Sequence, residues 1–356
     1  MKTLLSKRWL IAFALASILL LAACGGTTST ADTGDAVSGG DTTTTTEEAM
    51  ADETSDEAME DGEDAMEDEA MEDEEMADEE MDDEMAGGPG LYFDVANFPT
   101  LEDGVHYEGW AIIDGAPVTT GKFNVVDGKT VGLDGEEIKA FHIEEDLGAA
   151  TAIIVTIEPA GDTDTIPSET HFVAGDINAD GESELTIDHP AALGTDFSDA
   201  AGQFILATPS NGNNTDEFSG VWFLDPSGPA ESLTLPTLPA GWMYEGWVVI
   251  DGVPVSTGTF LTAAGADSGE PFKGPDGTPP FPGEDFLTNA PAGVTFPTDL
   301  RELPIVISVE PYPDNAPTPF VLKPLVGMAP ADAADHVLYD LGLNVDDLPS
   351  ASIRIS

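Results

Sequence analysis

Tyr107-Glu-Gly-Trp-Ala-Ile-Ile-Asp-Gly-Ala-Pro-Val-Thr-Thr-Gly-Lys-Phe123 returns 137 residues later as Tyr244-Glu-Gly-Trp-Val-Val-Ile-Asp-Gly-Val-Pro-Val-Ser-Thr-Gly-Thr-Phe260. Without a gap, 12 of 17 positions are identical, and Ala111/Val248, Ile112/Val249, Ala116/Val253 and Thr119/Ser256 are small steps. The chain carries an internal duplication. Within each copy, a run of aromatic and β-branched residues ends at Asp114-Gly115 (Asp251-Gly252) before a second β-prone run. Asp-Gly between two such runs predicts a hairpin, because a type I′ turn needs φ > 0 at both positions. Pro117 cannot donate to a ladder, which places the second strand at an edge or a bulge. Strand alternation puts Trp110 and Ile112 on one face. A large ring at the same place in both copies reads as a core anchor, so Trp110 and Trp247 are structural anchors of the repeat.

The duplication reaches further in both directions. Upstream, Phe98-Pro-Thr-Leu-Glu-Asp-Gly104 aligns on Leu235-Pro-Thr-Leu-Pro-Ala-Gly241. Downstream, Ala152-Ile-Ile-Val-Thr-Ile-Glu158-Pro159 matches Pro304-Ile-Val-Ile-Ser-Val-Glu310-Pro311, an apolar strand ended by Glu-Pro, with the next strand expected from Phe172-Val173 and Phe320-Val321. The second copy is longer between these landmarks, and Ala264 to Asp299, full of Gly and Pro, reads as a long surface loop. Gln203-Phe-Ile-Leu-Ala-Thr-Pro reads as the closing strand of the first unit, Asn211-Gly-Asn-Asn as a junction, and Gly220-Val-Trp-Phe223 as an echo of Gly90-Leu-Tyr-Phe93. Pro330 to Leu343 is the one helix-like stretch. Many short strands with frequent turn signals predict an all-β fold of two tandem β-sandwich-like domains after a disordered acidic tether. The expected boundaries are 1–23 for a signal peptide, 24–89 for the tether, 90–214 for the first repeat and 219–356 for the second.

Charge separates these parts. Of 69 acidic residues, 26 lie between Asp32 and Glu84, a span without Lys or Arg. That leaves 43 against seven basic residues beyond residue 87. So acidic a chain repels nucleic acid and anionic membrane surfaces, since the phosphate attraction that drives such binding becomes repulsion. Cations or a saline habitat fit it better. The Asp/Glu/Met/Ala run from Glu47 to Met85 has few large apolar groups to offset ordering entropy, which predicts a self-repelling tether. Seven of the ten methionines sit there. Thioethers beside carboxylates suit soft-metal capture such as Cu(I), but expansion of a repeated Ala-Met-Glu-Asp-Glu unit, with loose cation screening only, is the preferred reading.

At the N-terminus, Lys2, Lys7 and Arg8 precede an apolar run, Trp9 to Leu21, and then Leu21-Ala-Ala-Cys24. This resembles a bacterial lipoprotein signal with its lipobox and implies lipidation at Cys24. Cys24 is the only cysteine, so no disulfide can form within the chain. The expected location is extracytoplasmic, at the cell membrane or cell surface, held through a lipid anchor.

Val155-Thr-Ile-Glu158-Pro159-Ala-Gly161, downstream of Tyr107-Glu-Gly-Trp110 and Pro117-Val-Thr-Thr-Gly121, resembles the extracytoplasmic C-terminal domain of the anti-sigma-K factor family. The second copy keeps Trp247, Pro254, Gly258 and Val309-Glu310-Pro311 but has Tyr312-Pro313 where the first has Ala160-Gly161. The resemblance implies a β-rich domain outside the membrane. The family's sigma-binding domain has no counterpart in this sequence, so sigma-factor sequestration is not carried over.

Catalytic motifs are missing. There is no Gly-x-Ser-x-Gly elbow, phosphate-binding glycine loop, His-Glu-x-x-His or paired Cys-x-x-Cys. The five histidines, His106, His142, His171, His189 and His336, are scattered without ligand spacing and read as surface or turn residues. Glu158 and Glu310 recur at a strand end and read as terminators rather than an acid/base pair. One sharper pattern is Asp176-Ile-Asn178-Ala-Asp180-Gly181 with Glu184, the first half of a calcium loop; Ile187 stands where a bidentate acid is needed. A plain Asx turn between strands is the other reading. The expectation is therefore no cofactor, or calcium at this loop. The expected function is non-enzymatic binding of an envelope or extracellular protein or glycan, with no nucleic acid. The alternatives are an envelope sensing or signalling accessory, and a hydrolase acting outside the cell.

Overall fold

The computed structural model describes residues 90–356 apart from 213, 229, 314 and 315. The signal, Cys24 and the acidic tether, with its methionines, lie outside the described residues. What is described belongs to one compact unit, Glu79–Ser356. Among the described residues no helix is long and apolar enough to cross a membrane.

The protein is all-β. The first repeat supplies β1 (Leu91–Ala96), β2 (His106–Ile113), β3 (Ala116–Val126), β4 (Lys129–Val131), β5 (Ala150–Glu158), β6 (His171–Asp176), β7 (Glu182–Thr186) and β8 (Ala201–Leu206). The second supplies β9 (Val221–Trp222), β10 (Leu224–Asp225), β11 (Ala230–Glu231), β12 (Leu233–Thr234), β13 (Trp242–Ile250) and β14 (Val253–Phe260). It continues with β15 (Gly283–Glu284), β16 (Pro304–Pro311), β17 (Leu325–Met328), β18 (Tyr339–Leu343) and β19 (Ser350–Ile355).

The Asp-Gly hairpins form where the sequence places them. Asp114 and Gly115 have φ of 53° and 77°, Asp251 and Gly252 of 53° and 82°, the positive pair a type I′ turn requires. Pro117 and Pro254 lie where β3 and β14 each have one hydrogen-bonded neighbour, which costs the ladder nothing. In both hairpins the register slips after the motif glycine, between Gly109 and Trp110 and between Gly246 and Trp247.

Two large antiparallel sheets result, one ordered β1-β19-β7-β6-β5-β2-β3-β4 and the other β14-β13-β16-β17-β18-β8-β9-β15 with β12 also paired to β8, while β10 and β11 form a separate pair. The two large sheets are compatible with two sandwich-like domains. The first curls back on itself, since Leu91 and Phe141 exchange backbone hydrogen bonds of 2.9 and 2.8 Å. The last strands are traded between the repeats. β19, from the second repeat, lies between β1 and β7 of the first, while β8, from the first, lies between β9 and β18 of the second. The expectation that Gln203 to Pro209 closes the first unit is thus corrected. β8 has the right apolar pattern for a buried strand, but Tyr339, Asp340 and Leu341 are the residues it pairs with.

Two further expectations change. Pro330 to Leu343 is no helix: its first half is turns and its end is β18, held in the sheet by β8 and β17. Phe320-Val321 does not open a strand, and β17 begins at Leu325. Phe320 instead packs on Phe172 and Trp242, at centroid distances of 5.7 and 6.0 Å. Those contacts join the repeats, as does the Trp242 indole donating to the His171 carbonyl at 3.2 Å. One apolar cluster runs through both sheets, from Leu91, Tyr107 and Phe172 to Tyr244, Ile307 and Leu325.

Candidate functional site

The repeated tetrapeptide is a set of structural fastenings. The Tyr107 hydroxyl donates to the Pro99 carbonyl at 2.9 Å and that of Tyr244 to Pro236 at 2.7 Å. The motif glutamate accepts a hydroxyl from the facing strand, Thr119 on Glu108 and Ser256 on Glu245. The glycine leaves room for a threonine, because a Cβ at Gly109 or Gly246 would stand 2.2 Å from Thr120 or Thr257 Oγ1. The tryptophan starts a buried relay. Trp110 Nε1 donates to Thr156 Oγ1 at 2.8 Å, Thr156 donates to Glu158, and Glu158 accepts the Ser168 amide at 2.9 Å. Trp247, Ser308, Glu310 and the Phe320 amide repeat it, with 2.8 Å at the indole and 2.9 Å at the amide. The four anchors therefore form two identical relays, each of whose members has a partner, as buried polar groups require. The glutamates end their strands by holding the returning loop. Both carboxylates are buried and engaged in that task.

A different group appears beside the first relay only. His106, Glu108 and Trp110 alternate with Tyr107, Gly109 and Ala111 on β2, so they face away from the main apolar cluster. They are buried all the same, His106 to 3% and Glu108 to 2% exposure. Lys122, opposite Glu108 in the ladder, reaches Asp162 Oδ2 at 2.8 Å and Glu108 Oε2 at 3.5 Å. Its hydrogen bond holds the Asp162 carboxyl below the usual carboxylate range. His106, Glu108 and Asp162 each offer a ligand atom within 4.8 Å of the others. His106 is thus neither a surface nor a turn residue, against the sequence reading. A signal was present, since Lys122 against Thr259 is the one drastic difference in the 17-residue repeat, and His106 is matched by Met243.

The second repeat has its own asymmetry, in Ala264 to Asp299. This is not simply a surface loop: Phe286, Glu284 and Asp285 are fully buried. Phe272, Phe286 and Phe296 form a small core with centroids 5.3 to 5.9 Å apart. Asp285 ties the segment to the scaffold, accepting from Trp222 Nε1 at 2.7 Å and from the Ser210 amide at 2.8 Å. Glu284 accepts from the Phe272 amide at 3.1 Å, and Asp267 from the Gly283 amide at 2.9 Å. Burial pushes the carboxyls of Asp267 and Glu284 up to about 7, and that of Asp285 upward too. This segment can hold and release protons near neutrality.

The Asp176 loop joins β6 to β7. Asn178 Oδ1 accepts from the Asp180 and Glu182 amides at 2.9 and 3.0 Å, so its oxygen serves the turn itself. Asp176 faces His189 at 3.6 Å. Among the described residues Asp176, Asp180 and Glu184 do not gather their carboxylates to within ligand distance of one another. Two cavities are open to the surface. One, of about 440 Å³, is lined by Phe98, Lys323, Asn344 and Asp347; burial lowers the Lys323 ammonium's pKa. The other, of about 470 Å³, is lined by Asp94, Glu182 and Glu184 with Lys139 and Arg354. The chain matches no protein-family profile, no curated protein and no solved structure.

Proposed function

We propose that this chain is a lipid-anchored extracytoplasmic binding protein without catalytic activity, built from two repeats that resemble the anti-sigma-K factor extracytoplasmic domain. The observation that carries the reading is the fate of the polar residues. Those that are duplicated are consumed in fastening each repeat. The large segment that is not duplicated, Ala264 to Asp299, is held rigid by its own Phe272, Phe286 and Phe296 core and by Asp285. A loop ordered in advance on a β scaffold is how recognition surfaces avoid an entropic cost on binding. The partner is an envelope or extracellular protein or glycan. The test is photocrosslinking in native membranes, with the reactive group placed at Asp276 in the segment or at Asp127 in an exposed turn of the first repeat. Adducts from Asp276 and not Asp127 support the reading, and equal or absent crosslinking from both refutes it. Mass spectrometry of the same membranes should find acyl chains on Cys24.

An envelope-sensing role draws support from one further observation. Two carboxyls of the same segment, Asp267 and Glu284, titrate at about 7. Crosslinking yield from Asp276 that changes between pH 6 and pH 8 would favour it.

A further inference from the structure

His106 Nδ1 lies 3.2 Å from the Gly104 carbonyl. A carbonyl only accepts, so Nδ1 donates to it, and a ring protonated at Nδ1 alone presents a lone pair at Nε2. That atom is buried and has no hydrogen-bond partner, and Glu108 Oε2 likewise accepts no hydrogen bond. The ring stands in one group with the Glu108 and Asp162 carboxylates, whose ligand atoms all lie within 4.8 Å of one another. Two buried acceptors and a third, half-buried one repel one another unless a cation stands among them. The Lys122 ammonium answers part of that need, by its contacts with Asp162 and Glu108, and leaves the imidazole lone pair unanswered. A histidine whose second nitrogen donates to a backbone carbonyl is also the arrangement in which imidazole serves as a metal ligand, tautomer and ring plane both fixed.

We infer that His106, Glu108 and Asp162 form a binding site for a divalent transition metal of the zinc class, with Lys122 as a built-in competitor that withdraws when the ion enters. One imidazole nitrogen and two carboxylates are a borderline-hard donor set that suits zinc or cobalt, and three protein ligands leave one position open. Donor atoms around a tetrahedral zinc stand about 3.3 Å apart, so the group, whose atoms lie within 4.8 Å of one another, must draw in as the ion enters. The site belongs to the first repeat alone, since Met243 and Thr259 replace His106 and Lys122 in the second. That contrast also supplies the variants. His106→Met and Lys122→Thr install side chains that the same fold already accommodates at the equivalent positions.

The experiment titrates the full chain in detergent with Co²⁺ and reads the ligand-field absorption, so that ions bound loosely by the acidic tether contribute equally to every variant. The wild type is expected to take up one ion with a saturable visible spectrum. His106→Met should lose that spectrum, and Lys122→Thr should bind about tenfold tighter or more, because a positive charge a few ångströms from the ion is removed. Identical spectra from the wild type and His106→Met would overturn the assignment. So would binding seen only in Lys122→Thr, which would leave the site to the ammonium in the natural chain. Thermal melts of the three proteins without metal check that each is folded.

Discussion

Replacing Ile353 by alanine tests the traded strands directly. Ile353 lies near the C-terminus, in the second repeat by sequence, yet it stands on β19 opposite Phe93 of β1 and Ser183 of β7. It is 3% exposed. The substitution removes three buried carbons, about 2.4 kcal/mol at about 0.8 per methylene. The space left behind brings the cost to about 3 kcal/mol. At 1.4 kcal/mol per decade, amides that exchange by opening the first sheet should exchange about a hundredfold faster. Native-state hydrogen exchange should find that acceleration on β1 and β7, more than a hundred and fifty residues away along the chain. The reciprocal variant, Phe204→Ala, removes a ring 5.9 Å from Tyr339 and should strike β18 and β9 instead. If Ile353→Ala leaves β1 and β7 protected and loosens β17 and β18, the strands are not traded.

Two further predictions rest on the repeat and its insert. Gly246→Ala forces a Cβ to within 2.2 Å of Thr257 Oγ1, a buried hydroxyl without a hydrogen-bond partner. It should destabilise by about 2 kcal/mol, and the double variant with Thr257→Ala should recover most of that, a coupling that denaturant midpoints will read. Asp267→Asn addresses the insert. The Asp267 carboxyl, buried beside Gly283, is raised from 3.8 to about 7, so the folded state holds its proton more tightly than the unfolded chain. Its favourable contribution is complete below pH 3.8 and lost as the pH rises toward and through about 7. The amide stays neutral, and the full shift corresponds to about 4 kcal/mol, which partial exposure of the carboxyl reduces to about 2, so the variant should gain about 2 kcal/mol over wild type at pH 8 and little at pH 4, measured by urea unfolding at each pH. Equal gains at both would mean that Asp267 titrates normally.

What the sequence disclosed was local. Asp114-Gly115 and Asp251-Gly252 announce their turns because φ > 0 at two successive residues is a demand on those residues alone. The Glu-Pro strand ends and the tryptophan anchors were legible because the duplication marks them, although the relay through Thr156 and Ser308 needed the facing strand in place. The traded strands were not legible. The apolar residues of β8, Phe204, Ile205 and Leu206, are the same whether the strand pairs with β7 or with β18, and alternation fixes a face rather than a partner. The His106 group was hidden for a similar reason. Its members come from β2, β3 and the turn after Glu158, and spacing along the chain carries no trace of their meeting. Asp285 of the insert looked like a solvated loop residue because its partners are Trp222 and Ser210, 63 and 75 residues upstream.

The trade of β8 for β19 bears on how the two repeats could diverge. Each repeat alone lacks one strand, the one between β1 and β7 in the first and the one between β9 and β18 in the second, so neither completes its sheet without the other. The arrangement is that of a strand-exchanged pair written into one chain, and the likeness of the two repeats survives in the matched relays of Trp110 and Trp247. In a dimer of separate chains both copies must change together, because one gene encodes both surfaces. Joined in one chain, the copies keep their common fastenings under shared constraint, since losing either relay weakens a sheet that contains a strand of the other repeat. Surfaces outside those fastenings are released from symmetry. Lys122 and His106 on one side, and the Ala264 to Asp299 segment on the other, lie in that released territory. The residues that differ between the copies are accordingly where a ligand or a partner is to be sought, and the residues that agree are what keeps those sites rigid.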